Sequence, residues 1–360
     1  MNRPTVNSIW NSFRSSGKRH LLLTGTFGSG KTTLLSELFA HPLPGITTWA
    51  EPQQAVYLKE NGTETCVEIA RYDATLTGMQ PNMVLSSDGF VDVGVPALER
   101  CMQTEGDWVS IDEIGFLEGT CQPYQNAIRN VMAHKRVAAV VRKQDLPFLN
   151  ELREREDVFL VDLDQPYGQS GCVIMASGMS RRFGENKLLA DFFGQPLITQ
   201  ILDATEGVFS KRVVVTRHEE VAAICEERAI SVILHDLPHR SDTIRIGLEA
   251  IGEVKHCMFC PADQPILLSD TIRSLLLAAQ NAPEQIWRTC GEQGPGSPVL
   301  FPKWMFSELL TLPEGKGGGW ALKKYPDNIA MLPVSDPYEL IDADTPNVLE
   351  QLRRYARNIN

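Results

Sequence analysis

The chain has 360 residues, 43% of them hydrophobic, and its formal net charge is −11. A length of roughly 150 residues per domain favours two domains, and this hydrophobic content is enough to bury a core in each. The acidic balance argues against a nucleic-acid backbone or an anionic membrane as the main partner, because both attract a surplus of Lys and Arg.

No apolar run reaches the about 18 residues that a membrane span needs, and no signal-peptide pattern opens the chain, so we expect a cytoplasmic protein. The eight cysteines are scattered, which favours reduced thiols. Cys257 and Cys260 in CMFC imitate a metal-binding motif, but residues three apart on a strand point to opposite faces. We therefore interpret them as buried strand cysteines.

The chain opens with an amphipathic segment, in which we expect Trp10 and Phe13 to pack beneath the strand that starts at His20. From there to residue 161, apolar strands alternate with helical segments, which is typical of a parallel sheet flanked by helices. Asn61 and Gly62, between two alternating runs, predict a two-residue hairpin turn. The predicted strands are HLLLT, WVSID, RVAAVV and VFLVD, and the predicted helices begin near Lys31, Val95, Gln122 and Pro147.

The stretch GTFGSGKTT at residues 25–33 matches the pattern G-x-x-x-x-G-K-[ST] and lies between a predicted strand and a predicted helix. In this pattern the glycines let backbone N–H groups surround phosphate oxygens, while Lys31 neutralises the outer phosphates and Thr32 holds Mg²⁺. The predicted nucleotide-binding residues are Gly25, Gly28, Gly30, Lys31, Thr32 and Thr33.

A second motif, DWVSIDEIGFLE, supports this site. Its strand delivers Asp112 to a sheet edge where a carboxylate can hold Mg²⁺ through water, and Glu113 is well placed to polarise an attacking water. This order favours hydrolysis, since a kinase needs a hydroxyl-bearing substrate pocket and the sequence shows no sign of one. Glu118 is compatible with a surface helix charge and with a site residue.

Together, GTFGSGKTT and DEIGFLE resemble the THEP1-type nucleoside-triphosphatase family, whose pattern is a P-loop followed by DEIGxxE. The resemblance covers about residues 18–162, which we take as the first domain. It implies a P-loop fold and hydrolysis of a nucleoside triphosphate with weak base preference.

The polar, aperiodic stretch at residues 163–170 predicts a linker, and the alternation of strands and helices restarts after it, over residues 171–357. We therefore expect a second α/β domain with a mainly parallel sheet flanked by helices. The predicted strands are VIMAS, RVVVT, ISVIL, HCMFC and QIWRT, and the predicted helices begin near Pro196, Glu219, Asp242 and Ser269.

A loop of glycine, serine, arginine and lysine, GMSRRFGENK, follows strand VIMAS and contains neither G-K-[ST] nor G-x-G-x-x-G. Glycines allow a backbone to wrap a triphosphate, while Arg and Lys side chains grip its oxygens from two sides. Such a wrap suits attack at the α-phosphorus with pyrophosphate leaving. The alternative is a solvated basic turn.

Two acidic elements follow in the second domain. Asp263 in PADQP lies after strand HCMFC, at a carboxyl end where ligands of α/β proteins gather, and a lone carboxylate there suits Mg²⁺. Asp263 could instead cap a helix, although Ser269 is the better cap. Asp342 or Asp344, in ELIDADTPNVLEQL, precedes the final helix, and Asp344 could serve only as its cap.

These elements resemble the MobA-like nucleotidyltransferases, in particular the molybdenum-cofactor cytidylyltransferase branch and its molybdenum-hydroxylase accessory relatives. Their opening motif, A-[AG]-G-x-S-x-R-[MF]-G-x-x-K, is met by MASGMSRRFGENK except at Ser177, where Ala or Gly is usual. The resemblance spans about residues 171–357 and implies a Rossmann-like nucleotidyltransferase fold.

The resemblance also implies roles for individual residues. Asp263 would hold Mg²⁺ at the α-phosphate and act in catalysis together with Lys187, while residues 296–298 and 315–319 would lie towards the acceptor. The triphosphate-binding residues would be Gly178, Ser180, Arg181 and Lys187.

We expect a two-domain enzyme whose C-terminal half transfers a nucleotide, CMP from CTP or alternatively GMP from GTP, to molybdopterin, while Glu113 of the first domain assists hydrolysis. A second hypothesis makes the chain a delivery or regulatory factor for a molybdenum hydroxylase apoenzyme, driven by hydrolysis. A third makes it a sugar-nucleotide transferase. Pyrophosphate separates the first hypothesis from the second, because a delivery factor makes only orthophosphate.

Overall fold

The computed structural model describes residues 3–76 and 82–359, and the chain folds as two compact units. Helix α1 (Val6–Ser16) opens the chain. Residues 17–166 form the P-loop unit, and residues 1–16 combine with residues 167–360 to form the C-terminal unit. Among the described residues, none of the helices combines the length and apolar character that a membrane crossing requires.

The P-loop unit is a single eight-stranded sheet with helices on it, in the order β5-β4-β3-β2-β6-β7-β1-β8. Strands β2, β6, β7, β1 and β8 run parallel, and β2 to β5 form an antiparallel edge. Its strands are β1 (His20–Thr24), β2 (Gly45–Glu51), β3 (Ala55–Glu60), β4 (Cys66–Tyr72), β5 (Met83–Leu85), β6 (Trp108–Ile114), β7 (Arg136–Val141) and β8 (Val158–Asp162). Its helices are α2 (Lys31–Glu37), α3 (Ser87–Gly89), a π-helical turn (Phe90–Gly94), α4 (Val95–Met102), a 3₁₀ turn (Glu118–Thr120), α5 (Gln122–His134) and α6 (Pro147–Arg153).

The hairpin predicted at Asn61 and Gly62 is present, but a longer loop connects its strands. Glu60 ends β3 and Cys66 begins β4, so five residues form the connection. The Asn61 side chain does not serve a tight turn, because it accepts from Thr47 Oγ1 at 2.7 Å and donates to Ser110 Oγ at 3.0 Å. These contacts tie the loop to the neighbouring strands.

The C-terminal unit has a seven-stranded sheet in the order β13-β12-β9-β14-β16-β15-β17, in which only β16 is antiparallel to its neighbours among the described residues. The strands of this sheet are β9 (Ser170–Ala176), β12 (Lys211–Thr216), β13 (Ser231–Leu234), β14 (His256–Pro261), β15 (Ile286–Gly291), β16 (Gly294–Pro302) and β17 (Ile329–Pro333). Strands β10 (Asp191–Phe192) and β11 (Gln195–Pro196) form a separate two-stranded sheet. Besides α1, its α-helices are α7 (Ile198–Ala204), α8 (Glu219–Glu227), α9 (Arg240–Ile251), α10 (Ser269–Asn281), α11 (Phe306–Leu310), α12 (Gly318–Leu322) and α13 (Pro346–Ile359). Its 3₁₀ turns are Lys187–Leu189, Lys303–Met305, Pro326–Asn328 and Pro337–Leu340.

Parallel pairing of β9 with β14 brings the end of each strand to the same edge of the sheet, since Met175 lies beside Pro261. The loop after β9 and the PADQP turn therefore meet there. The prediction of buried strand cysteines is confirmed, because Cys257 and Cys260 both lie fully buried in β14 as free thiols.

Helix α1 corrects one expectation. It precedes the P-loop unit in the chain, yet it packs on α10 and β17 of the C-terminal unit. Its buried face includes Ile9 and Phe13, and Ser12 Oγ donates to the Ser274 carbonyl of α10 at 2.8 Å. The expectation that Phe13 packs beneath the strand at His20 was wrong, because the amphipathic face of α1 is covered by an element more than 250 residues away.

Candidate functional site

The P-loop follows β1 and leads directly into α2, as the motif predicts. Gly25, Gly28 and Gly30 have φ values of 146°, 77° and 85°, which only glycine adopts without strain. The Lys31 side chain is 8% exposed and crosses the loop, where Nζ donates to the carbonyls of Gly25 at 3.0 Å and Thr26 at 2.8 Å. A phosphate in the loop would offer this ammonium group a charged partner in place of two neutral carbonyls.

Thr32 and Asp112 are brought together at the end of β6. Thr32 Oγ1 donates to Asp112 Oδ1 at 3.2 Å, while Thr33 lies exposed at the next helical position. Burial raises the pKa of Asp112 to about 6, against the lowering effect of the Thr32 hydrogen bond. A hydroxyl and a carboxylate at this distance suit Mg²⁺, which is bound by few protein oxygens together with substrate phosphates.

Two further charged residues border this site. Glu113 forms an ion pair with Arg142 Nε, from the segment after β7. Glu118 is only 3% exposed and accepts from the Gly115 backbone N–H at 2.7 Å, so the reading of Glu118 as a surface charge is wrong. Burial raises the pKa of Glu118 to about 7.

In the C-terminal unit the loop after β9 delivers Lys187 into a carboxylate cluster. Lys187 is 7% exposed, and its Nζ lies 2.5 Å from Asp263 Oδ2 and 2.8 Å from Asp344 Oδ1. Burial alone would lower the pKa of Lys187, but the charges of Asp263 and Asp344 outweigh it and raise the pKa. Ser180 Oγ accepts from the Lys187 backbone N–H at 3.2 Å, which holds the loop in register.

The remaining predicted residues of this loop lie farther out. Gly178 borders a cavity that opens beside the carboxylate cluster and is described below. The exposed Arg181 contacts Met179 Sδ at 3.5 Å. Arg182 makes the ion pair instead, with Nη2 at 2.6 Å from Asp344 Oδ2. The cluster thus contains the second arginine of the motif.

Sequence reasoning left the roles of Asp342 and Asp344 open, and the structure places both beside Asp263. Asp344 does not cap the final helix, because Thr345 Oγ1 accepts from the Val348 N–H at 3.3 Å. Asp342 Oδ1 accepts from Gln264 Nε2 at 3.0 Å. Desolvation and, after it, the charge of Asp263 raise the pKa of Asp342 to about 6. The sequence signal for these two acids was the motif D-A-D-T-P, which lies near the C-terminal end of the domain and is brought to this site by the fold.

A cavity of about 620 Å³ opens beside the cluster. Asp263 and Asp342 line it, and so do three guanidinium groups, of Arg217, Arg240 and Arg288. Within the described parts of the chain, none of these three arginines forms an ion pair with a carboxylate. Arginines without a carboxylate partner beside a cavity, in a chain of net charge −11, indicate an anionic ligand.

Arg288 is held by a backbone carbonyl at the cavity. Its Nη2 and Nε donate to the Gly296 carbonyl at 2.9 and 3.3 Å, and burial lowers its pKa. Gly296 and Ser297 line the same cavity, and Gly318 lines a smaller adjoining one, so parts of both predicted acceptor segments lie on this side.

Magnesium fits this donor set. Among the described residues, no three or more His, Cys, Asp or Glu side chains converge into a metal site formed by the protein alone, so a bound ion would need ligands from the substrate. Asp263 and Asp342 supply two carboxylates, and Mg²⁺ prefers one or two carboxylates completed by substrate phosphates and water.

Each of the two α/β units places a glycine-containing loop at the carboxyl edge of its sheet, which is where α/β enzymes bind nucleotides. Residues 172–329 match the family model described as "MobA-like NTP transferase domain", and residues 58–166 match the family model described as "NTPase". The chain thus joins a THEP1-type nucleoside-triphosphatase domain to a nucleotidyltransferase domain of the MobA-like family.

Three curated relatives illustrate the two halves. Nucleoside-triphosphatase THEP1 of Thermotoga maritima is 28% identical over 153 residues, which cover 40% of this chain and 86% of the relative. A probable molybdenum cofactor guanylyltransferase of Pyrococcus horikoshii is 30% identical over 110 residues, which cover 30% of this chain and 56% of the relative. A 3-deoxy-manno-octulosonate cytidylyltransferase of Brucella ovis is 31% identical over 107 residues, which cover 28% of this chain and 43% of the relative.

Proposed function

We propose that the C-terminal unit transfers CMP from CTP to the terminal phosphate of molybdopterin, and that the P-loop unit hydrolyses a nucleoside triphosphate. The observation that carries the transferase proposal is the cluster of Lys187, Asp263 and Asp344 beside a cavity lined by three arginines that have no carboxylate partner among the described residues. The relative named as a molybdenum cofactor guanylyltransferase supports the acceptor. Because this relative is named as a guanylyltransferase, GTP is the alternative nucleotide substrate to CTP.

In the transferase reaction, an oxygen of the acceptor phosphate attacks the α-phosphorus, and the bond to the β-phosphate breaks. Pyrophosphate leaves with the electron pair, and the acceptor phosphate is already ionised, so no strong general base is needed. Asp263 and Asp342 would hold Mg²⁺, which supplies positive charge at the α-phosphate. Lys187 exchanges a carboxylate partner for the triphosphate and stabilises the charge that develops on the leaving group.

Arg288 supports an acceptor that carries a phosphate. Its guanidinium group borders the cavity and has no carboxylate partner among the described residues. Hydrogen bonds to the Gly296 carbonyl hold the group in this position. Guanidinium groups bind phosphate oxygens through paired hydrogen bonds, which a partly buried site strengthens.

In the P-loop unit, Lys31 and the backbone around Gly28 bind the outer phosphates, and Thr32 with Asp112 would hold a second Mg²⁺. Glu113 orients the attacking water and accepts its proton, while the ion pair with Arg142 holds the Glu113 carboxylate in position. Orthophosphate is the product.

The test is to incubate the full chain with Mg²⁺ and each of ATP, GTP, CTP and UTP, with and without molybdopterin, and to quantify pyrophosphate and orthophosphate separately. We expect pyrophosphate only with CTP and molybdopterin, and its loss in Asp263→Asn. Pyrophosphate formed with GTP instead of CTP would show that the transferred nucleotide is GMP and that the choice of CTP is wrong.

Orthophosphate alone under all conditions would refute the transferase and favour the delivery factor. The cytidylyltransferase relative motivates a third arm, in which 3-deoxy-manno-octulosonate replaces molybdopterin. Pyrophosphate formed only in this arm would identify a sugar acceptor.

A further inference from the structure

The glycine-rich segment at residues 315–319 of the C-terminal unit lies against the start of α9. A Cβ atom at Gly317 would lie 3.2 Å from both Cδ and Nε of Arg240, and 3.6 Å from its Cζ. Atoms in favourable contact are normally about 3.5–4.0 Å apart. There is therefore no room for a side chain between Gly317 and Arg240.

The backbone conformation of Gly317 does not by itself call for glycine. Its φ is −107° and its ψ is −179°, an extended conformation that other residues also adopt. Gly315, in the same segment, differs because its φ is 72°. The close approach to Arg240 explains the glycine at position 317, since glycine is used where a backbone passes close to another group.

Arg240 is exposed and lines two cavities. One is the cavity of about 620 Å³ beside the carboxylate cluster, and the other is the smaller one that Gly318 and Phe301 line. Ser297 of β16 lines both cavities as well. Because Arg240 has no carboxylate partner within the described residues, its charge is available to a ligand.

The start of α9 is held by its cap. The His239 backbone N–H donates to Asp242 Oδ2 at 3.1 Å, an arrangement that fixes the first turn of a helix. The cap fixes the backbone from which Arg240 extends, and Gly317 limits the positions of its side chain. The guanidinium group is therefore presented from a fixed base.

The sheet order indicates which substrate Arg240 meets. The smaller cavity lies on β16, since Ser297 and Phe301 of that strand line it. Strand β14 separates β16 from β9, whose following loop carries Lys187. We expect the triphosphate at that loop, so an anionic group beside β16 belongs to the other substrate, the acceptor. Arg288 lies on β15, the neighbour of β16, and lines the larger cavity.

We propose that Arg240 binds the phosphate of the acceptor together with Arg288, and that Gly317 is the positioning residue that holds Arg240 in place. The inference rests on the proposed transfer to a phosphate-bearing acceptor. A phosphate monoester carries about −1.5 to −2 charges at pH 7, which a single guanidinium group does not balance. A second guanidinium group supplies the missing charge and further paired hydrogen bonds.

The first experiment measures pyrophosphate formation by the full chain with Mg²⁺, the preferred nucleoside triphosphate and varied molybdopterin. Arg240→Ala should raise the KM for molybdopterin about tenfold or more, because hydrogen bonds to a charged group are lost. Arg240→Lys should raise it less, since lysine keeps the charge but not the paired hydrogen bonds. The KM for the nucleoside triphosphate should stay constant in both variants.

The second experiment tests Gly317. Gly317→Ala should raise the KM for molybdopterin about three- to tenfold, because the new methyl group displaces the Arg240 side chain. In the Arg240→Ala background the same substitution should have no further effect, because no side chain remains to be displaced. Gly106→Ala is the matched control and should leave this KM unchanged, because a Cβ atom there would meet nothing within 4 Å and the residue lies in the P-loop unit.

Three results would overturn the inference. A rise confined to the KM for the nucleoside triphosphate in Arg240→Ala would place this residue at the nucleotide. An equal effect of Gly317→Ala with and without the Arg240 side chain would show that Gly317 does not act through Arg240. Unchanged KM values in Arg240→Ala, with pyrophosphate still formed, would refute the role of Arg240 alone. If the wild-type chain forms no pyrophosphate, the transferase proposal itself is wrong, so the two failures are distinguishable.

Discussion

Lys31 and Lys187 are both buried ammonium groups on loops that we propose bind phosphate, but their partners differ. Lys31 donates to two backbone carbonyls of its own loop, whereas Lys187 lies between the carboxylates of Asp263 and Asp344. Carbonyls are neutral, so a phosphate displaces them easily from Lys31. Carboxylates repel a phosphate, so the Lys187 site needs further positive charge, and the unpaired arginines and a divalent ion are suited to supply it.

The largest expected effect comes from removing each lysine in turn. Lys31→Ala should lower orthophosphate formation by about 10²–10³-fold and Lys187→Ala should lower pyrophosphate formation by a similar factor, since each removes charge stabilisation in the transition state. Each product is measured in both variants. If either variant lost both orthophosphate and pyrophosphate formation, the proposal that the two units have independent sites would be wrong.

Helix α1 sharpens the comparison of the two units. Phe13→Ala should destabilise the packing of α1 on α10 by about 3–5 kcal/mol, because the Phe13 ring is fully buried. Hydrogen exchange should show loss of protection in α10 and unchanged protection in β7 of the P-loop unit. Asn7→Ala, at an exposed position of the same helix, is the control and should change neither.

Arg288 tests what the cationic cavity binds. Arg288→Ala should raise the KM for molybdopterin about 10- to 100-fold, the equivalent of about 1.5–3 kcal/mol for hydrogen bonds to a charged group. The KM for CTP should stay constant. A rise in the KM for CTP alone would place Arg288 at the nucleotide and refute its role at the acceptor.

The smallest effect is a pH dependence in the P-loop unit. Because the pKa of Asp112 is raised to about 6, this carboxyl is ionised above that pH and becomes protonated below it. A protonated Asp112 cannot hold Mg²⁺, so kcat/KM for orthophosphate formation should fall about tenfold per pH unit below about pH 6. A profile that stays flat down to pH 5 would show that Asp112 is not required as an anion.

The sequence by itself determined the local motifs. The P-loop was predictable to the residue, because β1, the glycine loop and α2 are adjacent in the chain and the conformation of the loop depends on its own glycines. The same holds for the placement of Asp112 and Asp263 at strand ends, since alternating strands and helices dictate a parallel sheet.

Only the tertiary structure decided which distant groups meet. Lys187 reaches Asp344 across 157 positions, Arg142 pairs with Glu113 from the segment after β7, and α1 packs on α10. Periodicity shows that a helix has an apolar face, but it does not show which surface covers that face. The hydrophobic effect is non-directional, so any apolar surface of the right shape can serve as the partner. The close approach of Gly317 to Arg240 also escaped sequence analysis, because these two residues lie on separate segments of the chain that only the fold brings together.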